Sequence, residues 1–366
     1  MNRLFVSAGE PSGDRHAAAV VTALRSVIPE LIVDGIGGPR LAESGVELLE
    51  RSERLSAMGL AEAAGTIPAH WRLLRAVERR VASHRYDAAI LVDYPGFHLR
   101  LAGALTAQGV PVIYYIAPQL WAWGRARFGT LRHYVRHLAV ILPFEESFFR
   151  EHGIPTTFVS HPLLDDPQPL PRADARRLLG ITASERVLAV FPGSRPVEQR
   201  RHWEPFRDTA RRVCSDLPGL RVVVAGRASE LSPTDSRFAF HDDAQTVLAA
   251  ADVALCKSGT STLQAALADV PMVIAYRMHP LTFAVARRVV RVPHVGLVNL
   301  LAQREVAPEC LQGQVRPAVL GRRIADLLED GAVAARQREE FGGIRRALGT
   351  PGAARRVAEL TLRYAA

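Results

Sequence analysis

The sequence predicts an α/β protein built from two doubly wound, Rossmann-like halves. Three observations predict it: short continuous apolar runs alternate with helical stretches, a Pro-rich segment interrupts them near mid-chain, and the alternation then restarts. Continuous apolar strands are buried on both faces, the mark of a parallel sheet. Ligands of such sheets sit at the carboxyl ends of the strands, so a cleft between the halves is expected there.

In the first half, strands are expected over 3–8, 32–36, 87–92, 110–116, 138–142 and 157–159, with a helix over 12–28 after the first of them. Residues 160–171 are Pro-rich, break all periodicity and read as a linker. Strands follow over 187–191, 221–225, 237–240, 252–256 and 271–276, with a helix over 262–268. Helices over 315–330, 332–348 and 353–364 close the chain and are expected to brace the cleft. The expected division is an N-terminal domain 1–165, a second domain 166–340, and a C-terminal helix 341–366 that packs back on the first.

Composition supports two ordinary cores: the chain has 366 residues, 48% hydrophobic and 23% charged. The N-terminal apolar run is broken by Gly9 and Pro11, too early for a signal peptide, and no stretch reaches the ~20 apolar residues of a spanning helix. A cytosolic protein is expected, with attachment to a membrane surface left open. The three cysteines form no Cys-x-x-Cys pair. His133 and His137 have the i, i+4 spacing of a helical metal chelate, but arginines flank them and no Glu follows His133, so they read as a solvated helix face and no metal site is expected. The net charge of +9 lies mostly in residues 186–366, which hold 26 Lys+Arg against 18 acids. That excess suits an anionic ligand or surface as well as plain solvation, and without interleaved aromatics it does not suggest nucleic acid.

Two elements near the second-half strand ends look built to meet phosphate. The run Val187–Phe191 leads into Pro192-Gly193-Ser194-Arg195, where backbone can approach a ligand closely beside a permanently charged fork. Later, Ser258-Gly259-Thr260-Ser261-Thr262 opens a helix whose free N–H groups attract an anion. Either alone is as well explained by a turn; together in one half they favour a diphosphate. In the first half, Glu10, Ser12, Gly13 and Asp14 follow strand one, and Asp93 follows three apolar residues at another strand end. Ser12 and Asp14 also suit a helix start, whereas Glu10 has no such structural role. The best glycine run, Gly35-Ile-Gly37-Gly38-Pro39-Arg40, has Arg40 in place of the third glycine of a dinucleotide fingerprint, and no P-loop occurs.

Two segments break the regularity. Over 55–85, Trp71, Leu74, Val77 and Val81 recur at helical spacing beside Arg72, Arg75 and Arg79, after a small apolar stretch containing Met58. This reads either as a helix packed on the sheet or as a membrane-touching lobe. Trp121 and Trp123, followed by Arg125 and Arg127, either pack between domains or line a pocket for an apolar ligand.

Several motifs, in order along nearly the whole chain, together resemble the lipid-A-disaccharide synthase family. They are Ala8-Gly-Glu10-Pro-Ser12-Gly-Asp14, Gly37-Gly-Pro-Arg40, Met58-Gly-Leu-Ala-Glu62, Trp121-Ala-Trp123, Leu142-Pro-Phe-Glu145, Pro192-Gly-Ser-Arg195 with Glu198, Ser258-Gly-Thr260, Tyr276-Arg277, and Val298-Asn299-Leu-Leu301 followed by Arg304-Glu305 and Pro308-Glu309. The resemblance implies a GT-B fold without bound metal or cofactor. It implies inverting transfer of 2,3-diacylglucosamine from its UDP derivative to 2,3-diacylglucosamine 1-phosphate at the inner face of the cytoplasmic membrane. A homodimer is left open.

On this reading Asp93 is the base that takes the acceptor proton, with Glu10 or His98 orienting substrate. Substrate or nucleotide contacts are expected from Ser12, Gly13, Asp14, Gly193, Ser194, Arg195, Glu198, Ser258, Gly259, Thr260, Ser261, Thr262, Gln264, Tyr276, Arg277, Asn299 and Glu305, with UDP mainly on the second domain. Asn299 resembles a family residue near the diphosphate. Acyl chains or bilayer would meet Met58, Trp71, Leu74, Trp121 and Trp123. The sequence departs from the family at Gly96 and His98, where Asp and Asn are frequent, at Gln264, where Glu is usual, and at Gln303, where Gly is typical. Other readings are a GT-B epimerase, a transferase with another acceptor, or a non-catalytic peripheral binding protein.

Overall fold

Alternate side chains of the first strand enter different cores. In the computed structural model, which describes residues 1–52, 67–227, 237–290 and 292–365, strand β1 (Arg3–Ala8) sends Phe5 to one face of its sheet and Leu4, Val6 and Ala8 to the other. Both faces are therefore covered, as a parallel sheet requires. On the Phe5 side lie Leu74, Val77 and Val81 of the helix Ile67–Ser83, with Leu101 and Leu105 of Pro95–Ala107. On the other side lie Ala17, Val20 and Leu24 of Pro11–Arg25, with Val357 and Leu360 of the last helix, Ala353–Tyr364.

The remaining described strands of this sheet are β2 (Ile32–Gly37), β3 (Glu47–Arg51), β4 (Ala88–Val92), β5 (Val112–Tyr115), β6 (His137–Val140) and β7 (Thr156–Phe158). All pairs are parallel, in the order β3-β2-β1-β4-β5-β6-β7. The sequence reading missed β3, whose Glu47, Glu50 and Arg51 resemble a loop but suit an exposed sheet edge.

A second sheet contains β8 (Arg186–Phe191), β9 (Leu220–Ala225), β10 (Phe238–His241), β11 (Val253–Lys257), β12 (Met272–Tyr276) and β13 (Glu309–Leu311), in the order β10-β9-β8-β11-β12-β13. Its pairs are again parallel. Phe206, Ala210 and Val213 of the helix Pro196–Asp216 pack with Leu320 and Ile324 of Pro317–Glu329 against it. The three-residue edge strand β13 was not anticipated, being too short to show a period.

The chain divides into two units, Met1–Asp166 with Leu348–Ala366, and Pro167–Ala347. The first boundary falls inside the Pro-rich segment. The second falls after Ala347 rather than after residue 340, because the helix Gly331–Ala347 runs on through Phe341 and Ile344, both buried in the second unit. Strand order reverses direction between β1 and β4 in one unit and between β8 and β11 in the other. Such switch points leave a crevice at the strand carboxyl ends.

The helical chelate spacing of His133 and His137 is not realised. The helix Phe128–Tyr134 ends before His137, which opens β6 and stacks on Tyr364 at 5.2 Å. Among the described residues no helix is long and apolar enough to cross a membrane.

Burial holds several histidines neutral. His16 and His98 are pushed down from 6.5 to about 4, and His161 to about 3; desolvation leads in each case, with Arg15 adding at His16 and His16 adding at His161. Below pH 6.5 the unfolded chain takes up protons that the folded chain refuses, so this contribution is complete above that pH and fades as pH falls toward 4. Each proton is worth about 1.4 kcal/mol per pH unit across the window. The melting temperature should therefore drop progressively from pH 7 to pH 4, and a flat profile would show that these rings titrate normally.

Candidate active site

Three adjacent strands of the second unit end together. The turn Gly193-Ser194-Arg195 leaves β8, Lys257 ends β11 ahead of the helix Thr260–Leu267, and Tyr276 ends β12 ahead of Arg277. Gly193 has φ 116°, and a Cβ there would stand 2.7 Å from both Cβ and Oε2 of Glu198, so only glycine fits. Arg195 precedes the helix Pro196–Asp216, and Glu198 stands in its first turn.

Glu198 accepts a hydrogen bond from Lys257 Nζ at 2.7 Å, and Arg195 Nη1 lies 3.8 Å from the same oxygen. Burial pushes the Glu198 carboxyl upward, but Lys257 and Arg195 together outweigh it and hold the group below the usual carboxylate range. His202, buried one turn further on, fixes the third strand end. Its Nδ1 donates to the Glu198 carbonyl at 2.8 Å, its Nε2 accepts from the Arg277 amide at 2.9 Å, and its ring stacks on Tyr276. The result is a basic cluster at the switch point, with Ser194, Arg195, Thr260 and Arg277 exposed around it. The sequence reading missed His202 and left Lys257 out; a histidine four residues after Glu198 and a cation ending a strand were the available signals.

The first unit places Asp93 at its own switch point. Asp93 and Tyr94 link β4 to the helix Pro95–Ala107 with φ of 53° and 51°, a left-handed pair without glycine. Such backbone costs roughly 1–3 kcal/mol per residue and persists only where surroundings enforce it. Here the Asp93 carbonyl accepts from His98 Nδ1 and from the Tyr114 hydroxyl, each at 2.6 Å. A carbonyl only accepts, so the His98 proton is on Nδ1, and Nε2 is left to accept from the Ser7 hydroxyl at 2.8 Å. His98 is fully buried. It cannot orient substrate as expected from the sequence; it holds the turn that presents Asp93. The Tyr94 ring covers the end of β1, where a Cβ on Gly9 would come within 2.4 Å of it. Burial, then the charge of neighbouring Glu10, raises the Tyr94 phenol.

Several expected site residues are spent inside the fold. Asp14 is buried, and its carboxylate accepts from the amides of Gly38 (2.6 Å), Arg40 (2.9 Å) and Leu41 (3.2 Å), anchoring the helix Pro39–Glu43. Gly13 is buried against Ala8 and Val92, and Ser12 is exposed. Asn299 has no exposed surface: its amide donates to Ala307 and Glu309, and its oxygen accepts from Val306 and Ala307. No valence remains for a diphosphate. Thr262 is buried and bonds back to Gly259, Ser261 bonds back to Lys257, and Ser258 donates to Val295 at 2.6 Å. Gln264 is half-buried on the same helix. Glu305 is exposed and lines a cavity of about 360 Å³ with Arg304, Arg323 and Arg336.

The apolar candidates also separate. Leu74 belongs to the core, whereas Trp71 is 52% exposed on the same helix. Trp121 is buried, donating to Glu145 Oε1 at 2.9 Å and packing edge-on to Phe144, so it ties elements of the first unit together. Burial drives that Glu145 carboxyl up to about 7 against the bonds it accepts. Trp123 is exposed beneath the Arg127 guanidinium. Met58 lies outside the described residues. Among the described residues no three His, Cys, Asp or Glu side chains gather to hold a metal ion.

A family model described as lipid-A-disaccharide synthetase matches residues 4–350. A lipid-A-disaccharide synthase of Anaeromyxobacter sp. (strain K) is 40% identical over 99% of this chain and 97% of its own length. Those of Myxococcus xanthus and Geobacter sulfurreducens are 40% and 34% identical, over 98% and 99% of the chain and 97% of their own length in both cases. Among solved structures, a UDP-GlcNAc 2-epimerase of Neisseria meningitidis superposes with TM-score 0.68 at 11% identity, covering 99% of this chain and 100% of that one. A calicheamicin glycosyltransferase gives 0.63 at 18% identity, covering 99% and 98%. These likenesses are of fold: two Rossmann-like units of the GT-B class.

The strained turn at Asp93 is directly testable. Tyr114→Phe removes one of two donors to its carbonyl and should lower stability by about 1 kcal/mol. His98→Leu also strands the Ser7 hydroxyl and should cost more, ~2–3 kcal/mol. Denaturant midpoints at unchanged slope report both; two silent substitutions would mean that other contacts enforce the turn.

Proposed function

Because the chain belongs to the lipid-A-disaccharide synthase family, glycosyltransferases of lipid A biosynthesis, we propose that it moves 2,3-diacylglucosamine from its UDP derivative to 2,3-diacylglucosamine 1-phosphate. The products are the β-1,6-linked disaccharide 1-phosphate and UDP. One observation supports this reading beyond the family name: a basic cluster stands at the switch point of one unit, and a carboxylate on an enforced turn at that of the other.

In the proposed mechanism UDP is held by the second unit. Arg195 and the N-terminal end of the helix Thr260–Leu267 meet the charge that develops on the departing diphosphate. Gln264 offers an amide to the ribose hydroxyls in place of the usual carboxylate. Asp93 takes the proton from the attacking 6-hydroxyl as the new bond forms at the anomeric carbon on the face opposite UDP. Glu10, beside Tyr94, orients the acceptor.

The test is UDP release from diacylated UDP-glucosamine with the 1-phosphate acceptor, run in chelator. Asp93→Asn keeps shape and removes basicity, so turnover should fall ~10²–10⁴-fold. The rise in melting temperature that UDP confers on the wild-type protein should persist in that variant. Near wild-type turnover in Asp93→Asn with a dead Glu10→Gln would exchange the two roles, and a requirement for divalent metal would remove the charge assignment.

We also infer reversible attachment to the inner face of the cytoplasmic membrane. Trp71 supports it, being exposed on a helix that also exposes Arg72, Arg75 and Arg79, as does exposed Trp123; Leu74 contributes nothing to this surface. Each arginine near an anionic surface is worth about 1 kcal/mol, and salt screens it. Sedimentation with anionic vesicles should weaken in salt and weaken further in Trp71→Ser. If neither treatment alters it, the anchor is elsewhere.

A further inference from the structure

The chain contains 45 arginines and a single lysine, Lys257. That lysine ends β11 at the switch point, with its side chain only 14% exposed. Its ammonium lies 2.7 Å from Glu198 Oε1, 5.7 Å from the Tyr276 ring centroid, and 3.5 Å from where a Cβ on Gly259 would stand. It therefore hangs over the start of the helix Thr260–Leu267.

Glu198 completes the arrangement from the other side. Its Oε2 lies across the Gly193 turn, and its position in the first turn of Pro196–Asp216 is one where a helix dipole favours negative charge. One carboxylate thus joins the two turns that the sequence marks as phosphate-reading, and it draws Lys257 and Arg195 toward itself. A guanidinium presents a rigid planar fork, whereas an ammonium is a compact charge with three rotatable donors and changes partner without reorienting a plane. Arginine fills every other basic-chain position in the sequence, so an ammonium here is a chemical distinction rather than a habit of composition.

We propose that Lys257 binds the diphosphate and that Glu198 holds its place in the empty protein, the ammonium exchanging the carboxylate for a phosphate oxygen when nucleotide arrives. This rests on placing the UDP-sugar on the second unit. Glu198 and the diphosphate then compete for the same cation, and the carboxylate works against nucleotide affinity.

The experiment is calorimetric titration of the full-length protein with UDP and with uridine, for wild type, Lys257→Met, Lys257→Arg and Glu198→Gln. Losing one charge-assisted bond to phosphate, Lys257→Met should bind UDP about tenfold more weakly or worse, with uridine affinity unchanged and a flatter salt dependence. Lys257→Arg should recover part of the loss, and Glu198→Gln should bind UDP several-fold more tightly. A wild-type ratio of UDP to uridine affinity in Lys257→Met would reduce the pair to a structural tie and overturn the proposal. Weaker UDP binding in Glu198→Gln would overturn the exchange, because the carboxylate would then be organising the site. Should either variant fail to fold, labelling of wild type decides: an amine reagent meets only Lys257 and the Met1 amine, and UDP but not uridine should protect Lys257 alone. Equal labelling with and without UDP counts against the proposal. Absence of any UDP binding in wild type would instead remove the nucleotide assignment itself, and this proposal with it.

Discussion

In both units the parallel strands are covered on both faces, so a polar side chain on a central strand meets neither solvent nor ligand along the strand's length. Buried polarity without partners is expensive, and β4 and β8 accordingly carry apolar residues up to their last positions, Val92 and Phe191. Chemistry is displaced to the residues immediately after the strands. Where successive crossovers lead in opposite directions from β1 and from β8, the loops diverge and those residues are left beside an opening. Asp93, the turn Gly193–Arg195 and the start of the helix Thr260–Leu267 all sit at such points.

The same rule accounts for polar residues near strand ends that do no chemistry. A chain turning from strand to helix leaves backbone N–H groups without helical partners, and a nearby carboxylate or amide can satisfy them. Asp14 is consumed in this way by Gly38, Arg40 and Leu41, and Asn299 by Val306 and Ala307. Glu309 does the same for Val295 and Gly296, fixing the loop to which Ser258 is tied. Motif residues therefore divide into those that shape the crevice and those that face it.

That division was the least legible part of the sequence. Strand positions were readable because continuous apolar runs have few alternatives, and edge strands β3 and β13 were lost because charge or brevity erases the pattern. Asp93 and Arg195 stood out by following a strand directly. Asp14 and Asn299 looked equally functional, since their type and motif are the same whether their partner is a ligand or a backbone amide 24 or 7 residues away. Leu74 and Trp71 share one amphipathic helix, and periodicity alone does not say which residue lies at the margin of its buried face. His98 was the hardest to place, because only three-dimensional contact shows that its two nitrogens are occupied by Asp93 and Ser7.

The two units use the same strand-end topology for different tasks. At β4 the backbone is held left-handed, and neutral donors from His98 and Tyr114 bind the Asp93 carbonyl, fixing the direction in which its side chain leaves the strand end. His98 suits this role because burial keeps it neutral, so one ring nitrogen donates to the Asp93 carbonyl and the other accepts from Ser7. At β8 and β11 the difficulty is to gather cations, because like charges at a partly desolvated site repel. Glu198 relieves that repulsion between Arg195 and Lys257, and a carboxylate in the first turn of a helix does so at the end where the dipole already favours it. A neutral clamp therefore fixes a turn in one unit, while an anion holds a pair of cations together in the other.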